Sequence, residues 1–359
     1  MRYLLEFTGD HPTLPLEELK ASAEAVGEHF TLIDGRGLLA IVDSEDLTRT
    51  MERCALLRTV SIFIERGRVE GNSLVGGSGR EQGHGITDSI VGHVPDAGSF
   101  RVTPRKHRDK FPGLDISGVV RSVAGLVDLP VSLHDPDVEI IIFLSIAPTP
   151  PHSGSPVSYS LGLKLFENQR TPLHERAVRY RPFFSPISLP PIFARMLINL
   201  SRVSKDGILL DPFCGTGGVL LESSFLGPRT IGTDLDGSML AGAARNLEHF
   251  SINAELARCD IGNLRETLGE MGVEQVDGIA TDMPYGRAST TFGEGLGELT
   301  DRMLDSFDEV LRPGGYVALV SSTTLAARPE HGSLRLVSCH RLKVHGSLNR
   351  HFIVLRKID

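Results

Sequence analysis

The stretch ILLDPFCGTGG (residues 208–218), then VLLESSFLG (219–227) and RTIGTDLD (229–236), reads as strand, glycine turn, helix and strand. Ile208, Leu209 and Leu210 form a short apolar run that stops at Asp211, and Gly215, Gly217 and Gly218 then let the backbone turn sharply and approach a ligand without a Cβ in the way. About twenty residues on, Asp234 closes the next apolar run, where a carboxylate can accept hydrogen bonds from ribose hydroxyls. Working outward, AELARCD ends at Asp260, DGIATDMPYG runs through Asp282, and GYVALVSS follows; GSMLAGAARNLEHF and LTDRMLDSFDEVLRPG between them have helical spacing. Strands alternating with helices predict a doubly wound, mostly parallel α/β sheet of the Rossmann-like type, whose ligand lies beyond the carboxyl ends of the strands. The motif is not G-x-G-x-x-G, which argues against a dinucleotide fold.

Upstream of residue 181 the pattern is different. RYLLEFTG, FTLIDGRGLLAIVD, VSIFIERGRV, FRVTPRKH, VEIIIFLSIA and YSLGLKLF read as strands, with a turn expected at Asp34-Gly35. PLEELKASAEAVG, SEDLTRTMERCALLR (capped at Ser44), ITDSIVGHV and DISGVVRSVAGLVD read as helices. Residues 147–157, APTPPHSGSPV, are expected to be a linker or exposed turn.

Composition bounds the function. With 359 residues, 40% hydrophobic and 23% charged, the chain suits two or three globular domains. No apolar run approaches the roughly 20 residues of a membrane span, and MRYLLEFTGDHPTL lacks the pattern of a signal peptide, so a cytoplasmic protein without a membrane partner is expected. Cys54, Cys214, Cys259 and Cys339 lie far apart without a C-x-x-C pair, and the histidines follow no metal-binding spacing, so neither disulfides nor a metal are expected. The net charge of −8 is unlike a nucleic-acid binder, but two stretches oppose it. RVTPRKHRDK carries Arg101, Arg105, Lys106, Arg108 and Lys110, and ENQRTPLHERAVRYRP carries Arg170, Arg176, Arg179 and Arg181. Such runs are either solvated faces or phosphate contacts.

DMPYGR, Asp282 to Arg287, bears the chemistry. An amine conjugated to an aromatic ring is a poor nucleophile, because its lone pair is delocalised. A carboxylate and a main-chain carbonyl that accept its two N–H bonds favour the pyramidal nitrogen needed for in-line attack on a sulfonium methyl. Asp282 supplies the first; Pro284 fixes the turn that presents the second; Tyr285 offers a ring on which an extruded base can stack. No covalent intermediate is needed, so Cys214 is not read as a nucleophile.

DPFCGTGG together with DMPYG resembles the amino-methyltransferases that carry a D/N-P-P-Y motif. RPFFSPISLPPIFARMLINLS, DMPYGRAST and HGSLNRHFIVLR extend the likeness to the archaeal and eukaryotic tRNA (guanine-10-N2)-methyltransferase family, and 61–170 looks like a THUMP domain. The resemblance implies a ferredoxin-like unit at 1–60, a THUMP RNA-binding domain at 61–165, a linker at 166–182 and a class I methyltransferase domain with a seven-stranded, mostly parallel sheet at 183–359. It implies S-adenosyl-L-methionine as cofactor, tRNA as substrate, and action as a monomer without an obligatory protein partner. Asp282, Pro284 and Tyr285 are then the catalytic residues. Asp211, Phe213, Cys214, Gly215, Thr216, Gly217, Asp234, Leu235, Asp260 and Ile261 hold the cofactor, with Asp260 suited to the adenine amino group. Arg101, Arg105, Lys106, Arg108, Lys110 and Arg287 contact the tRNA, Phe183 and Phe184 border the pocket or pack in the core, and His345 and Arg350 either meet RNA or sit on a surface hairpin. Met283 departs from the motif, which has proline there; a backbone carbonyl serves regardless of side chain, so activity is expected to survive. The alternatives are another tRNA guanine such as guanine-6, a DNA adenine N6 target, and a non-catalytic RNA-binding protein with a vestigial cofactor fold.

Overall fold

The computed structural model describes residues 1–76, 92–94, 96–106, 111, 113–146, 157–169, 171–185, 188–284, 295–345 and 348–359. The chain forms two compact units, one from 1–9, 30–46 and 57–168, the other from 10–29, 47–56 and 169–359.

The first unit is an eight-stranded sheet. Its strands are β1 (Arg2–Phe7), β2 (Thr31–Arg36), β3 (Leu39–Asp43), β4 (Leu57–Glu70), β5 (Ser73–Gly76), β6 (Phe100–Lys106), β7 (Val138–Ile146) and β8 (Val157–Glu167). They lie in the order β2-β3-β1-β4-β8-β7-β6, with β5 paired to β4. The unbroken apolar run of β7 has a simple cause. Ile140, Ile142 and Leu144 pack with Val119 and Val123 of the helix Ile116–Ala124, while Ile141 and Phe143 on the opposite face meet Leu4 and Ile41.

Three expectations need correction here. The domain boundary at residue 60 falls inside β4, which pairs with β1 on one side and β8 on the other, so the sheet continues through it. The turn between β2 and β3 lies not at Asp34-Gly35 but at Gly37, whose φ of 59° suits the left-handed conformation that hairpin turns demand. Ser44 does not cap a helix: its hydroxyl donates to the carbonyl of Asp46 at 2.8 Å, and the helix begins at Thr48.

The second unit carries an eight-stranded sheet of strands β9 (Ile208–Asp211), β10 (Arg229–Asp234), β11 (Glu255–Arg258), β12 (Val276–Asp282), β13 (Leu311–Ser321), β14 (Glu330–His331), β15 (Leu334–His345) and β16 (Leu348–Lys357). The order is β11-β10-β9-β12-β13-β16-β15-β14; the first five are parallel, and β16 enters antiparallel to β13. The two-residue β14 accounts for the strand beyond the expected seven. Successive strands step outward from β9 to β11, then the chain crosses to the other side of β9 at β12. That switch point, between β9 and β12, is where a doubly wound sheet opens a crevice for ligands. In the helix Leu296–Val310, Leu299, Met303, Phe307 and Val310 recur at helical spacing and bury one face against this sheet.

Helices Leu14–Val26 and Thr48–Arg53 also belong to this unit. Glu18, fully buried, accepts from the backbone N–H groups of Ala55 (2.8 Å) and Leu56 (2.7 Å) and from Asn199 Nδ2 (2.7 Å). Arg53 donates to Asn199 Oδ1 at 2.9 Å and to the carbonyl of Val203. Among the described residues no helix is long and apolar enough to cross a membrane.

Candidate functional site

Three carboxylates stand at the carboxyl ends of three neighbouring parallel strands: Asp234 on β10, Asp211 on β9 and Asp282 on β12. Asp211 is buried. Its Oδ1 accepts from the Thr281 hydroxyl at 2.7 Å and from the Phe213 N–H at 3.3 Å, tying the ends of β9 and β12 together. Burial pushes its carboxyl up to about 7, opposed by these hydrogen bonds and aided by the charges of Asp234 and Asp282. Burial raises Asp234 as well.

The loop between β9 and its helix is built on two left-handed glycines, Gly215 (φ 49°) and Gly217 (φ 80°). The N–H of Gly215 donates to Asp234 Oδ2 at 2.9 Å, and the other oxygen of Asp234 accepts from the N–H of Asp236 at 2.9 Å. The N–H of Cys214 pairs with the carbonyl of Thr233 at 2.9 Å. Cys214 itself is buried, and that burial pushes its thiol far up, so it stays protonated and unreactive. Phe213 packs against the sheet core, Leu235 is half-buried with its carbonyl accepting from Arg258 Nε at 3.0 Å, and Ile261 is a core residue. The Asp260 carboxylate is engaged by the Gly262 N–H at 2.9 Å and by Arg302.

Residues that sequence reasoning passed over complete this side of the site. Asn246, buried on the helix Gly237–His249, accepts from the N–H of Phe183 at 2.9 Å and donates to the carbonyls of Phe183 (2.7 Å) and Thr216 (2.9 Å). The Thr216 hydroxyl lies 3.2 Å from that of Ser188. A Cβ on Gly242 would come within 2.0 Å of the Phe183 ring, so glycine at 242 makes room for it. Phe183 is thereby locked onto the glycine loop, while Phe184 is 60% exposed. The signal existed in the sequence: an amide and a glycine four residues apart share one helix face.

Arg176 and Arg181 of the basic connector face inward. Arg176 forms a bidentate pair with buried Glu222 (2.8 and 3.0 Å), which also receives Arg195 at 3.1 Å. Arg181 is buried beside them.

At the end of β12, Met283 is 1% exposed within the core that includes Ile279, Leu299 and Met303, and its N–H donates to the carbonyl of Val320 at 2.9 Å. A proline at 283 would remove that donor. Asp282 and Pro284 are half-buried at the strand end; Tyr285 and Arg287 lie outside the described residues.

Strand pairing carries the sheet sideways from Asp282. Val320 stands opposite Asp282 and Phe352 opposite Val320, so Phe352 is two strands from Asp282, on the order of 10 Å, with His351 next to it opposite Ser321. Arg341 pairs with His351, Leu342 with Arg350 and Lys343 with Asn349. Residues 331–358 contain no Asp or Glu in a chain of net charge −8, so the end of the β15–β16 hairpin is basic on the ligand side of the sheet. The side chain of His345 is outside the described part.

The basic stretch of the first unit is partly neutralised. Arg101 pairs with Glu139 at 2.9 Å, in register on the adjoining strand, and Arg105 with Glu167 at 2.7 Å. Although burial favours its neutral form, Glu139 is held down to about 2 by Lys164, Thr103 and Arg101. Lys106 is exposed, and Arg108 and Lys110 are outside the described residues.

Residues 178–351 match a family described as RMKL-like, methyltransferase domain. The tRNA (guanine(10)-N2)-dimethyltransferase of Pyrococcus abyssi is 32% identical over 359 residues, covering 98% of this chain and 99% of that protein. That of Methanocaldococcus jannaschii is 28% identical over 274 residues, 74% of this chain and 72% of its own. Among solved structures, TrmN from Thermus thermophilus superposes with a TM-score of 0.52 at 24% identity over the whole of both chains, which marks a shared fold.

Proposed function

The chain belongs to the archaeal tRNA (guanine(10)-N2)-dimethyltransferase family, and from that premise we propose that it methylates the exocyclic N2 of guanine-10 in tRNA, first once and then again, with S-adenosylmethionine as donor. The observation that carries this reading is the row of Asp234, Asp211 and Asp282 at three adjacent strand ends around a loop with two left-handed glycines. The relatives that match most of this chain are named for position 10, which sets aside guanine-6, a DNA target and a vestigial fold.

The residues present fit the cofactor. Gly215 and Gly217 bring main chain close to a ligand, Asp234 stands where ribose hydroxyls donate, and buried carboxylates suit a cationic sulfur. When bound, S-adenosylmethionine supplies an electrophilic methyl on that sulfur. Asp282 and the main-chain carbonyl of Met283 accept the two N–H bonds of the guanine amine and turn its lone pair toward the methyl. Tyr285 stacks on the extruded base. Thr281 and Asp211 hold the end of β12 in place from below. Cations on the β15–β16 hairpin, Arg341, Lys343 and Arg350, lie at the right edge of the sheet to meet phosphates beside the target, and the first unit, with Lys106, Arg108 and Lys110, serves as the THUMP-type platform for the tRNA.

The test is Asp282→Ala, assayed by mass spectrometry of nuclease-digested tRNA alongside calorimetry of cofactor binding. Transfer should fall by roughly 10²–10³-fold with binding retained. Turnover near that of the unmodified enzyme, or methylation at a nucleotide other than guanine-10, overturns the assignment.

A further inference from the structure

The guanidinium of Arg181 poses a problem of hydrogen-bond accounting. It is 4% exposed and its Nε donates to the carbonyl of Arg176 at 3.1 Å, but among the described residues its buried Nη1 and Nη2 have no partner. Buried donors in native proteins are paired almost without exception, and a charged fork left open is among the costliest omissions. Among the described residues, the buried carboxylates of this region are already taken. Glu222 is 0% exposed and both its oxygens are occupied by Arg176 and Arg195. Glu18, the next acidic group in that quarter, accepts from Ala55, Leu56 and Asn199. Among the described residues, the three guanidiniums of Arg176, Arg181 and Arg195 therefore share one adjacent carboxylate.

The open fork also has a definite place. A Cβ on Gly218 would lie 3.2 Å from Arg181 Nη1, so the guanidinium rests against the first residue of the helix that follows the glycine loop, and any side chain at 218 would crowd it. One residue, Pro182, separates Arg181 from Phe183, which Asn246 clamps to the same loop. At the other end of that loop stand Asp211 and Asp234, which suit a cation and a sugar. A ligand laid along the loop, with its ribose at Asp234, thus meets carboxylates at one end and an unpaired guanidinium at the other. S-adenosylmethionine has the matching polarity: a sulfonium next to the ribose and an α-carboxylate at the far end of a flexible chain.

We propose that Arg181 is the residue that binds the α-carboxylate of the cofactor's methionine, with Nη1 and Nη2 as its two donors. The proposal rests on the methyl-donor reading above. Arg181 selects a ligand with a carboxylate and anchors the chain that carries the sulfur; Glu222 keeps the neighbouring arginines from competing for the same anion.

Calorimetry on the full chain with two uncharged-sulfur ligands tests it: S-adenosylhomocysteine, which has the carboxylate, and S-adenosyl-3-thiopropylamine, which lacks it. The unmodified protein should prefer the first by roughly tenfold or more, the scale of a buried hydrogen-bonded charge. Arg181→Gln should erase that preference by weakening S-adenosylhomocysteine alone. Arg181→Lys keeps the charge and much of the bulk but replaces the fork by a point donor, so it should retain an intermediate preference; it carries the test should the glutamine variant not fold. Equal affinity of the unmodified protein for the two ligands overturns the proposal, as does an equal loss for both in either variant. Failure of the unmodified protein to bind S-adenosylhomocysteine at all overturns instead the methyl-donor reading on which this rests.

Discussion

The glycine loop separates two regions that handle buried charge in opposite ways. At its start, Asp211 sits among like charges, with Asp234 and Asp282 on the neighbouring strands, and burial moves its carboxyl up to about 7. At its end, Arg176, Arg181 and Arg195 gather around Glu222, and a guanidinium cannot shed its charge near neutral pH. A carboxylate in excess relieves itself by taking up a proton; an arginine in excess needs a counter-ion. The acidic end therefore tolerates its crowding alone, whereas the basic end is held by one side chain, and the two ends respond differently to mutation, to backbone change and to pH.

The sharpest way to break the contrast is at Glu222. Glu222→Gln leaves Arg176 and Arg195 buried without a carboxylate and should destabilise the second unit by about 3–5 kcal/mol in denaturant titration. Asp211→Asn removes a like charge instead; the amide can still accept from Thr281, and stability at pH above about 7 should stay level or rise. Comparable losses in the two variants would show that burial, rather than charge balance, governs both ends.

Next in size is a backbone test at the acidic end. Asp282 is aimed by the strand that holds it, and that strand continues one residue further because the N–H of Met283 pairs with Val320. Met283→Pro deletes this donor and most of a side chain that is 1% exposed, at a cost of about 2–3 kcal/mol. The basic end should not notice: S-adenosylhomocysteine should bind the variant nearly as it binds the unmodified protein. A variant as stable as the parent would mean that the strand end gains nothing from the pairing.

Much of this arrangement was legible in advance, because parallel strands buried on both faces announce themselves as apolar runs, and the runs ending at Asp211, Asp234 and Asp282 are separated by helical spacing. The left-handed turns at Gly215 and Gly217 follow from residue type. Less accessible was anything set by side chains meeting across the fold. Arg176 and Arg181 look, in sequence, like part of an exposed basic connector, and only the burial of Glu222, itself in a six-residue helix, draws them inward. Arg101 and Arg105 likewise find Glu139 and Glu167 on strands far along the chain. Conversely, the hairpin cations Arg341, Lys343 and Arg350 escaped notice as a group because β-pairing places them beside the site, although the absence of any acid from residues 331–358 was there to be read. The boundary at residue 60 failed for the same reason: Glu18, Arg53 and Asn199 bind early helices into the later unit.

The last contrast is a pH dependence, which distinguishes the ends without any substitution. Asp211 has an ordinary value of 3.8 and a folded value of about 7, so the folded protein holds a proton there that the unfolded chain has lost across the interval between them. Its contribution to stability accordingly falls as pH rises through that interval and is constant above it. If S-adenosylmethionine binds as proposed, its sulfonium beside Asp211 would favour the ionised form and so couple binding to proton release. Affinity for S-adenosylmethionine should therefore rise with pH up to about 7, by at most about tenfold per pH unit, and level off above. S-adenosylhomocysteine, whose sulfur is neutral, should show a shallower slope, and Asp211→Asn should flatten both. Calorimetry in two buffers of different ionisation enthalpy counts the protons released. Identical slopes for the two ligands would mean that Asp211 does not sense the sulfur's charge, leaving its role as the pin between β9 and β12 through Thr281.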